Sequence, residues 1–252
     1  MRLLIYNIAY GTGSPPGRPG QLLTLGRYLH TGMGHLQKIR ECLAEYRPDV
    51  AGLVEVDQGS FRTSFHNQAF HLTEGLGFRE YSAIKYAPGS GALLFPILRK
   101  QSNTFLVRNS GEEVCLQSYL PVGMKRLILE LRYEKIRFIL LHLALERSTR
   151  RMQLACLRRK LRSEKIPTII GGDLNTFYGE EELHTFCKAL DLRSANNRQI
   201  PTYPSWAPRY QLDHILCSKE IRILDFQVLP IRASDHLPLL LDFELDGKNP
   251  EK

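Results

Sequence analysis

Apolar residues in this chain fall into short continuous runs that are bounded by polar residues, glycines and prolines. Such runs predict β-strands buried on both faces, and they occupy residues 2–8, 49–56, 126–132, 136–143, 167–171, 211–217 and 237–243. Two other segments carry apolar residues at helical spacing, which predicts helices over 35–46 and, with a basic face, over 149–165. The turn-like pair Glu134 and Lys135 separates two of the strands.

The order of these elements indicates the fold class. Strands outnumber helices and the helices fall between strands, so we predict an α/β (α+β) domain built from sheets packed on each other. No linker or low-complexity stretch divides the chain, which predicts a single domain over residues 1–246 and a frayed tail over 247–252. The Gly- and Pro-rich stretch 11–20 lacks the patterns of phosphate-binding loops and predicts an ordinary surface loop.

Charge and cysteine content bear on the partners and the compartment. The 252 residues carry a formal net charge of +8, and a positive field attracts nucleic acid, phospholipid headgroups and phosphorylated metabolites. Such a charge also occurs in proteins that need it only for solubility. Five widely spaced cysteines without a C-x-x-C pair argue against a disulfide framework or a thiolate zinc site. With no convincing signal peptide and no run of about 20 apolar residues, we expect a soluble cytoplasmic protein.

Several polar residues stand at the ends of the apolar runs. A rigid scaffold can hold catalytic groups at such strand ends, and carboxylates, amides and imidazoles together suit a hard cation and acid–base chemistry. Each residue alone has an ordinary explanation, such as a turn aspartate or a buried core histidine, so only the joint pattern indicates a site. The residues are Asn7, Glu55, His142, Asp173, Asn175, Asp213, Asp235 and His236.

The joint pattern resembles the endonuclease/exonuclease/phosphatase superfamily, which includes pancreatic-type DNases and neutral sphingomyelinases. The matching pieces follow the family's order: 4–7 (LIYN), 48–55 (PDVAGLVE), 141–143 (LHL), 171–175 (GGDLN), 212–216 (LDHIL) and 234–238 (SDHLP). The resemblance implies a four-layer sandwich, with two packed mixed β-sheets and helices on both outer faces. It also implies hydrolysis of a P–O bond by an activated water with Mg²⁺, or Mn²⁺ as a substitute. A non-catalytic protein that binds a phosphate ligand on the same fold is the alternative.

The resemblance assigns roles to individual residues. Glu55, Asn7 and Asp235 correspond to residues that bind or fix the metal. Asp173 corresponds to the aspartate that orients or deprotonates the attacking water, and Asn175 to its companion that holds the phosphate.

Two histidines complete the catalytic set that the resemblance implies. Asp213 and His236 correspond to a carboxylate–imidazole pair. His142 corresponds to the histidine of the DNase and sphingomyelinase branches, which contacts the phosphate or protonates the leaving oxygen, and the sequence offers it no clear partner carboxylate. His214 also follows an aspartate, but we expect it to point to the opposite side of its strand.

The substrate stays open among nucleic acid, phospholipid or sphingolipid, and phosphorylated small molecules, with a phosphodiester favoured. Val54 and His142 depart from the abasic-site nucleases of the superfamily. Asn103 and Arg62 are substrate-binding candidates by resemblance. The basic helix could follow a nucleic-acid backbone or an anionic membrane surface, although a plain solvated face is favoured. We expect a monomer that acts on an anionic phosphate ester.

Aromatic residues near the site motifs supply two further substrate-binding candidates, Tyr178 and Trp206. Their rings could stack on bases or touch a lipid headgroup, and they could equally anchor loops.

Overall fold

Two six-stranded mixed β-sheets pack face to face at the centre of the protein. The structure is a computed structural model that describes residues 1–13, 31, 33–108, 111–179 and 181–246. Most of the predicted surface loop 11–20 and the whole predicted tail 247–252 lie outside the described residues.

The two sheets share one plan, in which a central parallel pair is flanked by antiparallel strands. In spatial order the first sheet contains β11 (Ile221–Val228), β12 (Leu239–Leu245), β1 (Arg2–Asn7), β2 (Val50–Asp57), β4 (Gln101–Val107) and β3 (Arg79–Ile84). The second contains β5 (Val114–Tyr119), β6 (Leu127–Tyr133), β7 (Ile136–His142), β8 (Thr168–Asp173), β10 (Asp213–Ser218) and β9 (Leu192–Ser194). The parallel pairs are β1 with β2 and β7 with β8.

Alternate residues of the central strands face different layers, as the period of two along a strand requires. In β1, Leu3 and Ile5 face the core between the sheets, whereas Leu4 and Tyr6 face the outer helices. The sheets approach closely here, because a Cβ added at Gly171 of the second sheet would lie 2.6 Å from Ile5 Cδ1 of the first. Burial on both faces explains why these strands read as continuous apolar runs in the sequence.

Among the described residues, four α-helices form the outer layers: α1 (Met33–Tyr46), α2 (Gln68–Thr73), α3 (Arg147–Leu161) and α4 (Glu181–Leu190). Leu36, Ile39 and Leu43 of α1 pack on the first sheet. Leu154 and Leu157 of α3 pack on the second sheet. The predicted four-layer sandwich is therefore confirmed. Among the described residues, no helix is long and apolar enough to cross a lipid bilayer.

The apolar pattern predicted seven of the eight interior strands and missed the edges. It also missed the interior strand β4, whose first four residues, 101–104, are polar although they are buried. All seven predicted strands are present with bounds shifted by a few residues, and the hairpin turn at Glu134 and Lys135 has positive φ at both positions, 52° and 64°. Of the strands that were not predicted, β3, β5, β9 and β11 are the four sheet edges. Edge strands are exposed on one side, so their sequences lack the apolar run that marks a central strand.

Candidate active site

The polar residues at the strand ends meet at one end of the sandwich. In the second sheet, His142, Asp173 and Asp213 are register partners on neighbouring strands and therefore stand side by side. Asn7 at the end of β1 faces them from the first sheet, and its Nδ2 donates a hydrogen bond to Asp173 Oδ2 at 3.0 Å. This bond joins the two sheets at the site.

Glu55 occupies an irregular position in β2. The register with β4 shifts between Leu53 and Val56, and Glu55 has a left-handed φ of 59°. Bulges of this kind re-aim a side chain next to active sites. The backbone N–H of Glu55 donates to Asn103 Oδ1 at 3.4 Å, which places Asn103 beside it.

Asp173 is the most connected group of the site. Its Oδ1 accepts from the backbone N–H of Asn175 at 3.0 Å, and its Oδ2 lies 3.3 Å from His142 Nε2 and 3.9 Å from His236 Nε2. Burial raises the pKa of Asp173 to about 6, and the negative charge of Asp213 adds to that effect. The carboxyl group is therefore ionised at neutral pH but close to its titration range.

His236 and Asp213 form a buried pair. His236 Nδ1 lies 2.8 Å from Asp213 Oδ2, and Thr202 Oγ1 donates to the same oxygen at 2.6 Å. Burial opposes a charge on the ring, but the carboxylates of Asp213 and Asp173 outweigh it and raise the pKa of His236 to about 10. This carboxylate fixes the orientation of the ring and keeps it protonated at neutral pH.

His142 has surroundings that the sequence did not indicate. Its Nε2 contacts Lys125 Nζ, and its Nδ1 lies 3.6 Å from Glu55 Oε1 without a hydrogen bond. Burial, followed by the positive charges of Lys125 and Lys85, holds the pKa of His142 well below its usual range. In this environment the ring is neutral, which does not favour the predicted role of protonating the leaving oxygen.

Two lysines at the site were missed because no motif marks them. Lys85 lies just beyond β3, contacts the Tyr10 hydroxyl and stands 3.8 Å from Glu55 Oε1. Burial lowers the pKa of Lys85 to about 8. Lys125 precedes β6 and reaches His142 from the loop 121–126. A lysine that is brought to a site only by folding has no sequence signal of its own.

His214 occupies the other side of β10, as expected for the residue after Asp213. It is fully buried, and its Nε2 lies 2.7 Å from Thr176 Oγ1. Burial lowers the pKa of His214 to about 4. Its contacts are those of a neutral structural histidine.

The predicted substrate-binding side chains take different positions. Arg62 has no exposed surface and makes a buried ion pair with Asp57 at 2.7 Å, with its guanidinium 4.2 Å from the centre of the Tyr10 ring. It therefore stabilises the segment that follows β2 and does not contact solvent. Tyr178 is 65% exposed, and the Arg147 guanidinium stacks 4.9 Å from its ring centre. Trp206 is half-buried.

The other two predicted contacts, Asn175 and Asn103, lie within the site itself. Asn175 Nδ2 donates to the Leu143 carbonyl at 2.9 Å and so ties the turn after β8 to the end of β7. Asn103 Nδ2 is buried without a hydrogen-bond partner among the described residues. A buried donor of this kind suits an oxygen ligand such as a phosphate.

The basic helix is partly structural. Arg150 in α3 is fully buried and pairs with Glu182 of α4 at 2.7 Å. The other basic side chains of the segment 147–165 remain accessible: Arg158 is partly buried, and Arg147, Arg151, Arg159, Lys160, Arg162 and Lys165 are exposed. The structure thus removes Arg150 from the cations that this helix can offer to a nucleic acid or a membrane.

The oxygen donors at the site fit a hard divalent cation. Glu55 and Asp235 are half-buried carboxylates. Burial raises the pKa of Asp235, and the charge of Glu55 raises it further, so a cation between these groups would relieve their repulsion. Asp213 Oδ1 is also buried without a hydrogen-bond partner among the described residues. Asn7 contributes less directly, since its Nδ2 holds Asp173 and its Oδ1 accepts from the Ala9 N–H at 3.0 Å.

The chain is similar to known proteins in sequence and in fold. A family model described as "Endonuclease/Exonuclease/phosphatase family" matches residues 6–236. The human Nocturnin catalytic domain with bound sulfate is a similar structure, at a TM-score of 0.68 and 22% identity over 97% of this chain and 93% of that chain. A Bacteroides thetaiotaomicron mannosyl-6-phosphatase gives a TM-score of 0.70 and 14% identity over 97% and 100% of the two chains.

A third similar structure is ANGEL2, a 2′,3′-cyclic phosphatase in complex with adenosine-2′,3′-vanadate. Its TM-score is 0.69 and its identity 16%, over 97% of this chain and 95% of that chain. At these identities the likenesses show the fold. No curated protein sequence matches the chain.

Proposed function

The chain belongs to the endonuclease/exonuclease/phosphatase family of phosphoester hydrolases, and from this premise we propose that it cleaves its substrate with Mg²⁺ held at Glu55 and Asp235. Mn²⁺, which accepts the same oxygen ligands, should substitute. Asp173 serves as the base for the attacking water in this proposal, and His236 binds the phosphate.

One observation carries the proposal. Asp173 Oδ2 and His236 Nε2 lie 3.9 Å apart, and their surroundings give them opposite protonation states at neutral pH. The pKa of Asp173 is about 6 and that of His236 about 10. An ionised carboxylate and a protonated imidazole at this distance supply a base and a cationic donor to one phosphorus centre.

The chain's own residues account for the other parts of the reaction. A divalent cation, when bound, would neutralise charge on the phosphate and make a coordinated water more acidic. Asp173 is placed by Asn7 and by the Asn175 N–H, so its carboxylate is oriented to accept the proton of the attacking water. The protonated Nε2 of His236, held by Asp213, donates a hydrogen bond where negative charge grows on the phosphate oxygens.

The names of the similar structures agree with a phosphate ester as the substrate. One acts on a mannosyl 6-phosphate group by its name and another is a cyclic phosphatase, while the third holds a sulfate anion. None of these names separates a diester from a monoester for this chain. The five free thiols support our proposal that the protein works in a reducing compartment such as the cytoplasm.

The test is a substrate panel with controlled metal. Purified protein is stripped with EDTA and assayed on DNA, RNA, phospholipid, p-nitrophenyl phosphate and bis-p-nitrophenyl phosphate. We expect at least one ester to be hydrolysed after Mg²⁺ or Mn²⁺ is restored and none in EDTA. Full activity in excess EDTA would disprove the metal requirement.

A matched pair of variants locates the cation. Glu55→Gln removes one charge at the site, whereas Glu112→Gln removes one from an exposed position in the loop beyond the opposite end of β4. We expect Mn²⁺ binding, measured by calorimetry, to weaken at least tenfold in the first variant only, since a hard cation needs the carboxylate charge. Equal affinities in the two variants would place the metal elsewhere.

A further inference from the structure

Lys125 stands out among the positive charges of the site. Its Nζ contacts His142 Nε2, the same ring nitrogen that lies 3.3 Å from Asp173 Oδ2. Among the described residues, this ammonium group forms no ion pair within 4.0 Å, and its charge acts on Asp173 only at longer range. Lys85 differs in this respect, because it faces Glu55 at 3.8 Å. The charge of Lys125 is therefore not neutralised by a direct ion pair.

The position of Lys125 is built into the fold. Its backbone carbonyl accepts a hydrogen bond from Gln153 Nε2 at 2.8 Å, and Gln153 Oε1 accepts from the Ala144 N–H at 2.9 Å. Gln153 is a fully buried residue of α3. It thus holds the loop of Lys125 and the chain just after His142 at a fixed separation.

A glycine makes this attachment sterically acceptable. Gly123 has a φ of 85°, and a Cβ there would lie 2.9 Å from both Gln153 Nε2 and Thr149 Cγ2. The loop can approach α3 only with no side chain at this position. The fold therefore fixes the backbone position of Lys125, which distinguishes it from a freely moving surface lysine.

We propose that Lys125 binds a terminal oxygen of the scissile phosphate and makes this site favour phosphomonoesters over phosphodiesters. The inference rests on the proposed function, in which Asp173 and His236 locate the phosphate. A monoester has three terminal oxygens and two negative charges, whereas a diester has two terminal oxygens and one charge. His236 and the cation at Glu55 each bind one of the terminal oxygens. Lys125 binds the third, which a diester does not possess.

The energetic argument follows from charge. Coulomb attraction grows with the product of the charges, so one ammonium group attracts a dianion about twice as strongly as a monoanion. A hydrogen bond to a charged group stabilises by an amount that corresponds to roughly 10- to 100-fold in affinity. Loss of Lys125 should therefore lower the affinity for a monoester much more than the affinity for a diester.

A purely structural role makes a different prediction. If Lys125 only positions His142, its removal disturbs one shared catalytic centre, and both substrate types lose activity in equal proportion. The ratio of the two specificity constants therefore separates substrate binding from support of the ring.

The kinetic test compares p-nitrophenyl phosphate with bis-p-nitrophenyl phosphate, which share a leaving group. Lys125→Met removes the charge and keeps the chain length, and Lys125→Arg keeps the charge. Lys219→Met is the matched control, because Lys219 is an exposed lysine whose Nζ lies 3.6 Å from Asp191 Oδ2. We expect Lys125→Met to lower kcat/KM roughly 10- to 100-fold for the monoester and several-fold at most for the diester. The arginine variant should recover part of the loss, and the control should match the wild type.

A binding measurement tests Lys125 even if neither ester is turned over, an outcome that would count against the proposed function alone. Inorganic phosphate and dimethyl phosphate are each titrated into the protein in the presence of Mg²⁺, and binding is measured by calorimetry. The pH is about 8, where phosphate is largely dianionic. We expect Lys125→Met to weaken phosphate binding roughly 10- to 100-fold and to leave dimethyl phosphate nearly unchanged. Equal losses for both ligands, or no loss for either, would overturn the inference.

Discussion

Asp213→Asn should move the alkaline limit of activity to lower pH. Asp213 Oδ2 lies 2.8 Å from His236 Nδ1, and its negative charge helps to keep the buried ring protonated. The asparagine side chain has the same shape and can still accept a hydrogen bond from the ring or from Thr202. The substitution therefore removes the charge while it preserves the packing.

The size of the effect follows from the distance. An opposite charge within about 4–6 Å typically moves a pKa by 1–3 units, so the substitution should lower the pKa of His236 from about 10 to roughly 7–9. The sign is set by the ring, which loses its favourable partner and gives up its proton at lower pH. With a pKa near 8, the protonated fraction at about pH 9 would be roughly tenfold smaller than in the wild type.

Two measurements report this change. The pH profile of kcat/KM should show its alkaline limb moved down in Asp213→Asn. Titration of the His236 ring nitrogens by NMR is needed beside it, because Lys85, whose pKa burial lowers to about 8, titrates in the same window. The ring titration assigns the limb to one residue.

His214→Gln provides the control. His214 is a buried neutral histidine on the other side of β10, so its replacement should leave the alkaline limb where it is in the wild type. An unchanged limb in folded Asp213→Asn would refute the assignment of His236 as the cationic donor. A limb that moves only in His214→Gln would show that His214, and not His236, is the cationic donor.

Two further predictions concern the base and the sheet that carries it. Asp173→Asn should lower kcat about 10²–10⁴-fold and leave the circular dichroism spectrum unchanged. His214→Ala should retain most of the turnover, and the opposite ranking of the two variants would contradict the assignment of Asp173. A Cβ at Gly172, where φ is 136°, would lie 1.9 Å from the Leu141 carbonyl oxygen, so Gly172→Ala should destabilise the protein by about 3 kcal/mol or more in urea denaturation. Gly34→Ala in α1, with no atom within 4 Å of the new Cβ, should be neutral or stabilising by up to about 1 kcal/mol, and equal losses in both variants would refute the steric argument.

Much of the candidate site could be predicted because its residues stand where strands end. Asn7, Glu55, His142, Asp173 and Asp213 each stand within or next to a continuous apolar run, and that position is visible without a structure. Parallel neighbours then bring strand ends together at one side of a sheet. Family resemblance added the order of the motifs, which single residues do not carry.

The details of His142 could not be predicted in the same way. Two lysines outside every motif surround it: Lys125 contacts the ring from a loop, and Lys85, just beyond an edge strand, acts on the ring through its charge. Arg62 shows the opposite case, because a residue that the sequence offered as a substrate contact is buried against Asp57. Burial and pairing across the fold depend on which loops meet, and no local pattern records that.

The sequence by itself determined the layered architecture, all but one of the interior strands and the residue types of the candidate site, because strand periodicity and apolar burial are local properties. The tertiary structure decided the protonation states of that site. The pKa of Asp173 near 6 and that of His236 near 10 arise from desolvation and from charges contributed by strands and loops far apart in the chain. It also decided the position of the Lys125 charge beside His142, since Gln153 holds the backbone of the loop that carries this lysine. Electrostatic energies depend on distances in space, and those distances exist only after the two sheets have packed.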